Sequence, residues 1–117
     1  MRIPGSNKYF DNVADIKPNE EKLNLLVKVL WTKSDKSGSR NLVRCMLGDE
    51  TGCVEGCFDA DKEKLVKAGA VLEFNAVRAY VYQGSIMIQI YHSNSISLSK
   101  LEVANVNESL NISEMRF

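Results

Sequence analysis

The chain has 117 residues, of which 44% are hydrophobic and 26% charged, and its formal net charge is zero. These values are typical of one globular domain with its own core. Zero net charge counts against a protein that coats polyanions by bulk attraction, but it is compatible with a local basic groove. No window approaches the ~18 consecutive apolar residues of a membrane span, and the first residues lack a secretory h-region. We therefore expect a protein of the nucleus or cytoplasm with no membrane partner.

The first third of the chain predicts an arm followed by a long strand. Residues 1–12 are polar with a Pro-Gly turn signal, which predicts a flexible N-terminal arm. A short apolar entry, Val13 to Pro18, follows. The segment Leu23 to Lys33 has apolar residues at both odd and even positions, which face opposite sides of a strand, and it also fits a helical period. Its β-branched residues and the lack of a glycine cap favour a strand over a helix.

The centre of the chain predicts a tight hairpin. Apolar and other residues alternate along 42–48, a pattern typical of a strand with one buried face. The turn-rich stretch Gly48 to Gly52 then separates this strand from a second apolar run. Gly52 can adopt positive φ at little steric cost, and Asp49 can hydrogen-bond the backbone of its own turn.

The remainder predicts a short helix, a second hairpin and a tail. Residues 59–69 are charged and end in Gly69, which suits a short helix with a glycine cap. The next hairpin turns at Gln83-Gly84, and its first strand changes phase near Asn75-Ala76, which predicts a β-bulge. Residues 93–99 fit a trailing edge strand. The segment Lys100 to Phe117 fits a docked helix, a partner-binding segment or disorder.

The order of these elements predicts the fold class. We expect an all-β protein, a five-stranded OB-fold Greek-key barrel with one short helix between strands 3 and 4. The barrel domain would span residues 13–99, between the arm of residues 1–12 and the tail of residues 100–117. An SH3-like barrel and an α+β sandwich are the alternatives, and the helix between strands argues against the first.

Four short segments carry a resemblance to a known group of proteins. They are Val13-Ala14-Asp15-Ile16-Lys17-Pro18, Leu23-Asn24-Leu25, Val43-Arg44-Cys45 and Gly48-Asp49-Glu50-Thr51-Gly52, in that order. The set resembles the B subunit of the sensor-of-single-stranded-DNA complex and the plant and protist OB-fold proteins related to replication protein A. The resemblance implies an OB fold that binds single-stranded nucleic acid without catalysis. We expect DNA to be favoured over RNA.

The binding hypothesis depends on two sets of side chains. One set points outward from the predicted strands, and the other lies in or beside the loop after strand 1. Exposed aromatics offer bases a surface for stacking, and nearby cations meet phosphates. The nine candidate residues are Lys33, Lys36, Arg40, Arg44, Arg78, Tyr80, Tyr82, Gln89 and Tyr91. The resemblance implies that Tyr82 holds a stacking position, whereas Arg78, Gln89 and Asp59 replace aromatics that are usual in the family.

Other chemistry has little support in the sequence. Cys53 and Cys57 form one pair with metal-ligand spacing, but a structural zinc site needs four ligands, and His92 is the only histidine. We therefore predict no metal, no cofactor and no enzyme activity. The alternative function is a protein-interaction module in a larger complex, with partners or self-association through the C-terminal tail.

Overall fold

The computed structural model describes residues 9–35, 42–59, 66–90, 96–103 and 105–114. Its strands are β1 (Leu23–Asp35), β2 (Leu42–Gly48), β3 (Cys53–Asp59), β4 (Val71–Tyr82), β5 (Ser85–Ile90) and β6 (Ile96–Leu98). Two 3₁₀ turns cover Val13–Asp15 and Ile112–Glu114. Within these ranges no helix has the length and hydropathy needed to cross a membrane.

Strand β1 closes the barrel because it is long enough to pair with two neighbours. Its first half runs antiparallel to β4, and its second half runs antiparallel to β2. The sheet continues from β2 to β3, β5 and β4, and the β3–β5 pair is parallel. This confirms the predicted five-stranded barrel and the prediction of a strand at 23–33. The short strand β6 adds to the edge of β4, as predicted for residues 93–99.

The core follows from the period-2 alternation of the strands. Residues of inward parity, such as Val27, Leu47, Phe74 and Ile88, are buried in one cluster inside the barrel. Each large apolar side chain removed from water in this way contributes roughly 1.5–3 kcal/mol to folding. Burial of the inward set thereby fixes which parity faces outward.

Two β-bulges change the parity that faces the core. Ala76 has φ of 56° and is the extra residue between the pairs Leu23–Val77 and Leu25–Phe74, which confirms the predicted bulge. A second bulge lies in β1, where Val29 pairs with Leu47 and Trp31 with Met46. Leu30 is left over by this register, so residues after it reverse their parity.

Two turns have the backbone conformations that their residue types predict. The hairpin turns at Gln83-Gly84, as predicted, and φ of 51° and 80° at these residues are the two positive values of a two-residue type I′ turn. The predicted helix of residues 59–69 lies mostly outside the described residues. At its described end Val66 is buried and Gly69 has φ of 91°, the left-handed conformation expected of a glycine cap.

The β2–β3 turn is organised by the buried carboxylate of Asp49. Its Oδ1 accepts from the Thr51 amide (2.7 Å), the Thr51 hydroxyl (2.5 Å) and the Gly52 amide (3.2 Å). Its Oδ2 accepts from the amide of Val13 (3.1 Å), at the start of the first 3₁₀ turn. Thr51 Oγ1 also accepts from the Ala14 amide at 3.1 Å. The turn therefore holds the entry of the chain as well as its own hairpin.

Both terminal segments pack against the barrel where they are described. Phe10 and Val103 are buried with Leu26 in a second cluster on the outside of β1. Ile112 joins the main core, and the hydroxyl of Ser113 accepts from the Glu55 amide (2.8 Å) and donates to the Ile86 carbonyl (2.6 Å). This hydroxyl bridges β3 and β5 beside their parallel ladder. The division into 1–12, 13–99 and 100–117 stays a prediction.

We expect Asp49→Asn to destabilise the fold by about 2 kcal/mol. The amide keeps the size of the carboxylate but has only one acceptor oxygen, so one of the donors that meet Asp49 would face an N–H₂ group. Urea unfolding measures the change. Glu50→Gln, at the exposed neighbour in the same turn, is the matched control and should change the midpoint little. Equal midpoints for both variants would contradict the role given to Asp49.

Candidate nucleic-acid interface

The strand register aligns outward side chains in two rows across β1, β2, β3, β5 and β4. The first, here called the aromatic row, consists of Trp31, Met46, Glu55, Met87 and Tyr80. The second, the basic row, consists of Lys33, Arg44, Cys57, Gln89 and Arg78. Paired residues of adjacent strands project to the same side of a sheet, so each row is a line of neighbouring side chains.

The accessible surface of the aromatic row lies mainly at its two ends. Met46 and Met87 are almost fully covered although they have outward parity. Trp31 at the β1 end is 38% exposed, and Tyr82, two residues beyond Tyr80 on β4, is 55% exposed. The rings of Tyr80 and Tyr82 meet edge to face with centroids 6.5 Å apart. The row thus offers separate aromatic surfaces at its β1 and β4 ends.

The basic row supplies cations at three of its five positions, and two of these face a carboxylate. Arg44 forms an ion pair with Glu55 of the aromatic row. Arg78 lies 3.9 Å from a carboxylate oxygen of Glu21, and both side chains are largely exposed. A solvated pair at this distance contributes little, so an incoming phosphate can compete for Arg78. Lys33 is exposed at the β1 end.

The structure places part of the predicted site on one face. Tyr80 belongs to the aromatic row, and Tyr82 lies two residues beyond it on β4. The members of the basic row are Lys33, Arg44, Arg78 and Gln89. Lys36, Arg40 and Tyr91 lie outside the described residues. Their participation stays a prediction, as does that of the whole set.

Trp31 is a member of this face that the alternation pattern missed. In the sequence it shares its parity with Leu25, Val27 and Val29, which are all buried, so it reads as packing. The bulge at Leu30 turns it outward instead. The only sequence signal is that apolar residues occupy both sets of alternating positions in this strand. This indicates that the buried face changes along the strand, but it does not say where.

Two of the three cysteines, Cys45 and Cys53, are buried. Burial raises the pKa of the Cys45 thiol to about 12 and also raises that of Cys53. Cys57, in the basic row, is only partly covered. Within the described ranges no three His, Cys, Asp or Glu side chains come close enough together to hold a metal ion.

A cavity of about 100 Å³ near the N-terminal segment does not resemble a ligand site. Three of its lining carboxylates serve the fold, because they accept hydrogen bonds from nearby groups. Asp11 accepts from the Asn24 amide at 2.9 Å, Asp15 from the Asn12 side chain at 3.2 Å, and Glu20 from the Lys17 amide at 3.0 Å. The Asp11 contact joins the entry of the chain to β1, and the other two stabilise local turns.

Comparison with solved structures shows the fold. A hypothetical protein from Arabidopsis thaliana has a TM-score of 0.75 and 22% identity, covering 100% of this chain and 91% of that chain. An OB domain from Methanosarcina mazei has a TM-score of 0.66 and 24% identity, covering 82% and 90%. A domain of Schizosaccharomyces pombe Pot1, solved with single-stranded DNA, has a TM-score of 0.63 and 13% identity, covering 81% and 89%.

Similar structures also include OB-fold domains of archaeal replication protein A and a related factor, with TM-scores of 0.57 and 0.56. The expected likeness to replication-protein-A-related OB domains is therefore confirmed at the level of fold. Likeness to the B subunit of the sensor complex stays a prediction. No protein-family model and no curated protein match this sequence. The chain has an OB fold.

Thiol labelling tests the described exposure of this face. Alkylation requires the thiolate, so at pH 8 a buried thiol with a raised pKa should react slowly. We expect Cys57 to react with iodoacetamide well before Cys45 and Cys53, as read by mass spectrometry of peptides. Cys57→Ser should remove the fast phase. Fast labelling of Cys45 in the native protein would contradict the described burial.

Proposed function

We propose that this chain is a binding module for single-stranded nucleic acid, that it prefers DNA to RNA, and that it performs no catalysis. The observation that supports this proposal is that the aromatic row and the basic row lie side by side on one face of an OB barrel. Bases would stack on Trp31, Tyr80 and Tyr82, while phosphates meet Lys33 and Arg78. Stacking on aromatic side chains together with nearby cations is how OB folds commonly hold single strands.

The dimensions of the face support this proposal. Each row crosses five strands, and four spacings of about 4.8 Å make a path of about 19 Å. That length suits a few nucleotides, the lower end of the roughly 4–16 that OB folds cover. The preference for DNA rests on fission yeast Pot1, a protein of similar fold that was solved with single-stranded DNA.

The zero net charge is compatible with binding because the cations are local. Phosphate contacts from Lys33 and Arg78 would release few counterions, so salt should weaken binding only moderately. At about 0.7 per phosphate contact on a single strand, two contacts predict a slope of about −1.4 in a plot of log K against log salt. A module of this kind would depend on stacking more than on bulk attraction.

The second candidate is a protein-interaction module within a larger complex, supported by the neutral charge and the replaced family aromatics. The tail could not present Val103 or Ile112 to a partner, since both are buried in this chain. Leu98 on β6 is the exposed apolar side chain nearest to the tail in sequence. Lack of affinity for any oligonucleotide would favour this second proposal.

The double variant Arg78→Ala/Tyr82→Ala tests the face directly. We expect affinity for a labelled single strand to fall at least about tenfold, because one stacking surface and one phosphate contact are lost. Fluorescence anisotropy with single-stranded DNA, single-stranded RNA and duplex at two salt concentrations measures this. Tyr9→Ala/Lys100→Ala removes an exposed tyrosine and a cation elsewhere and should bind normally. Full-strength binding by the first variant would contradict the proposed face.

Trp31 is the only tryptophan of the chain and therefore reports on its own contact. Stacking of a base on the indole should quench its emission as single-stranded DNA is added. Trp31→Phe should keep most of the affinity, whereas Trp31→Ala should lose roughly 1–3 kcal/mol. Unchanged emission at saturating oligonucleotide would show that no base contacts this end of the aromatic row.

A further inference from the structure

One side chain of the binding face has the wrong charge for a phosphate. Glu55 occupies the middle of the aromatic row, with Met46 beside it on β2 and Met87 beside it on β5. Its side chain retains 19% exposure. A carboxylate at the centre of such a face repels phosphates, so it would weaken binding unless it meets hydrogen-bond donors of the ligand.

Glu55 is held in place from two directions. Its carboxylate pairs with the guanidinium of Arg44, on the adjacent strand. Its backbone amide donates to the hydroxyl of Ser113, which in turn donates to the Ile86 carbonyl of β5. A side chain fixed before binding loses little conformational freedom when it accepts a ligand. The pair therefore places a partly exposed carboxylate, whose Oε2 already accepts from Arg44, beside a guanidinium donor.

This arrangement complements the Watson–Crick edge of one base. Guanine presents two adjacent donors, N1–H and N2–H₂, followed by the acceptor O6. Adenine, cytosine and thymine or uracil each present a single donor group there, next to at least one acceptor that would face the second carboxylate oxygen. Unpaired bases can be read on this edge in single strands. The carboxylate thus discriminates against the other bases as well as favouring guanine.

We propose that the Arg44–Glu55 pair reads guanine at the centre of the face, an inference that rests on the proposed binding of single strands. Glu55 accepts from N1–H and N2–H₂, and Arg44 donates to O6. The flanking Met46 and Met87 exclude water beside the carboxylate, which strengthens the contact and penalises an unpaired one. Glu55 is then a specificity-determining residue, while Trp31, Tyr80 and Tyr82 supply stacking that accepts any base.

The test compares oligonucleotides that differ at one position. The probes are oligo-dT, the same strand with one central guanine, and strands with inosine or 7-deazaguanine in its place. We expect the guanine strand to bind about tenfold more tightly than oligo-dT, the scale of one bidentate contact. Inosine lacks the N2 amino group and should lose most of this gain. The 7-deaza analogue keeps the Watson–Crick edge and should match guanine.

Glu55→Gln tests whether Glu55 recognises guanine or only forms a structural ion pair with Arg44. Its amide puts a donor against a guanine donor, so the preference for guanine should disappear. Affinity for oligo-dT should stay equal or rise, because a negative charge leaves the face. A variant that only damaged the fold would lose affinity for both strands. Glu50→Gln, in the turn that joins β2 and β3, should keep the preference.

The outcomes distinguish this inference from the proposed function. Native protein that binds oligo-dT and the guanine strand equally would overturn base reading and leave single-strand binding intact. A preference that survives Glu55→Gln, or that inosine retains in full, would also overturn it. Absence of binding to every single strand would overturn the proposed function and the inference together.

Discussion

The buried carboxylate of Asp49 is the interaction on which the arrangement of the chain depends. One of its oxygens closes the β2–β3 turn, and the other holds the amide of Val13. The backbone carbonyl of Asp49 accepts from the amide of Asn107, so the C-terminal segment meets the same turn. Three parts of the chain that are distant in sequence therefore meet at one residue. A charged acceptor that serves several amides is stronger than a neutral one, and leaving such amides unpaired in the interior would be costly.

This turn matters for the surface because it determines the register of β2 against β3. A slip of one residue would send the outward side chains into the core and the inward ones to solvent. The two rows exist only in the observed register, in which Met46 faces Glu55 and Arg44 faces Cys57. The bulge at Leu30 then extends both rows onto β1. The shape of the face is thus a consequence of turn geometry and bulges rather than of any local motif.

The electrostatics of the face depend on the same register. Arg44 and Glu55 lie on adjacent strands, where they neutralise each other and leave Lys33 and Arg78 as the outer cations. A chain of zero net charge can therefore present positive charge at the ends of the basic row and a carboxylate at the centre of the neighbouring aromatic row. Such a pattern suits a short segment whose backbone follows the cations and whose base edges approach the middle. It does not suit strong attraction to long polyanions, which requires an excess of cations.

The sequence by itself determined the strands, the hairpin turn at Gln83-Gly84, the bulge near Asn75-Ala76 and the bonding of Asp49 to its own turn, because each follows from local alternation or turn chemistry. It also placed Arg44, Arg78, Tyr80 and Tyr82 on the outward parity of their strands. Only the tertiary structure decided that Trp31 faces outward, since one extra residue in β1 reverses parity and no local rule locates it. It alone aligned Glu55 with Met87 and seated Ser113 between β3 and β5, because such pairings depend on which strands become neighbours when the barrel closes.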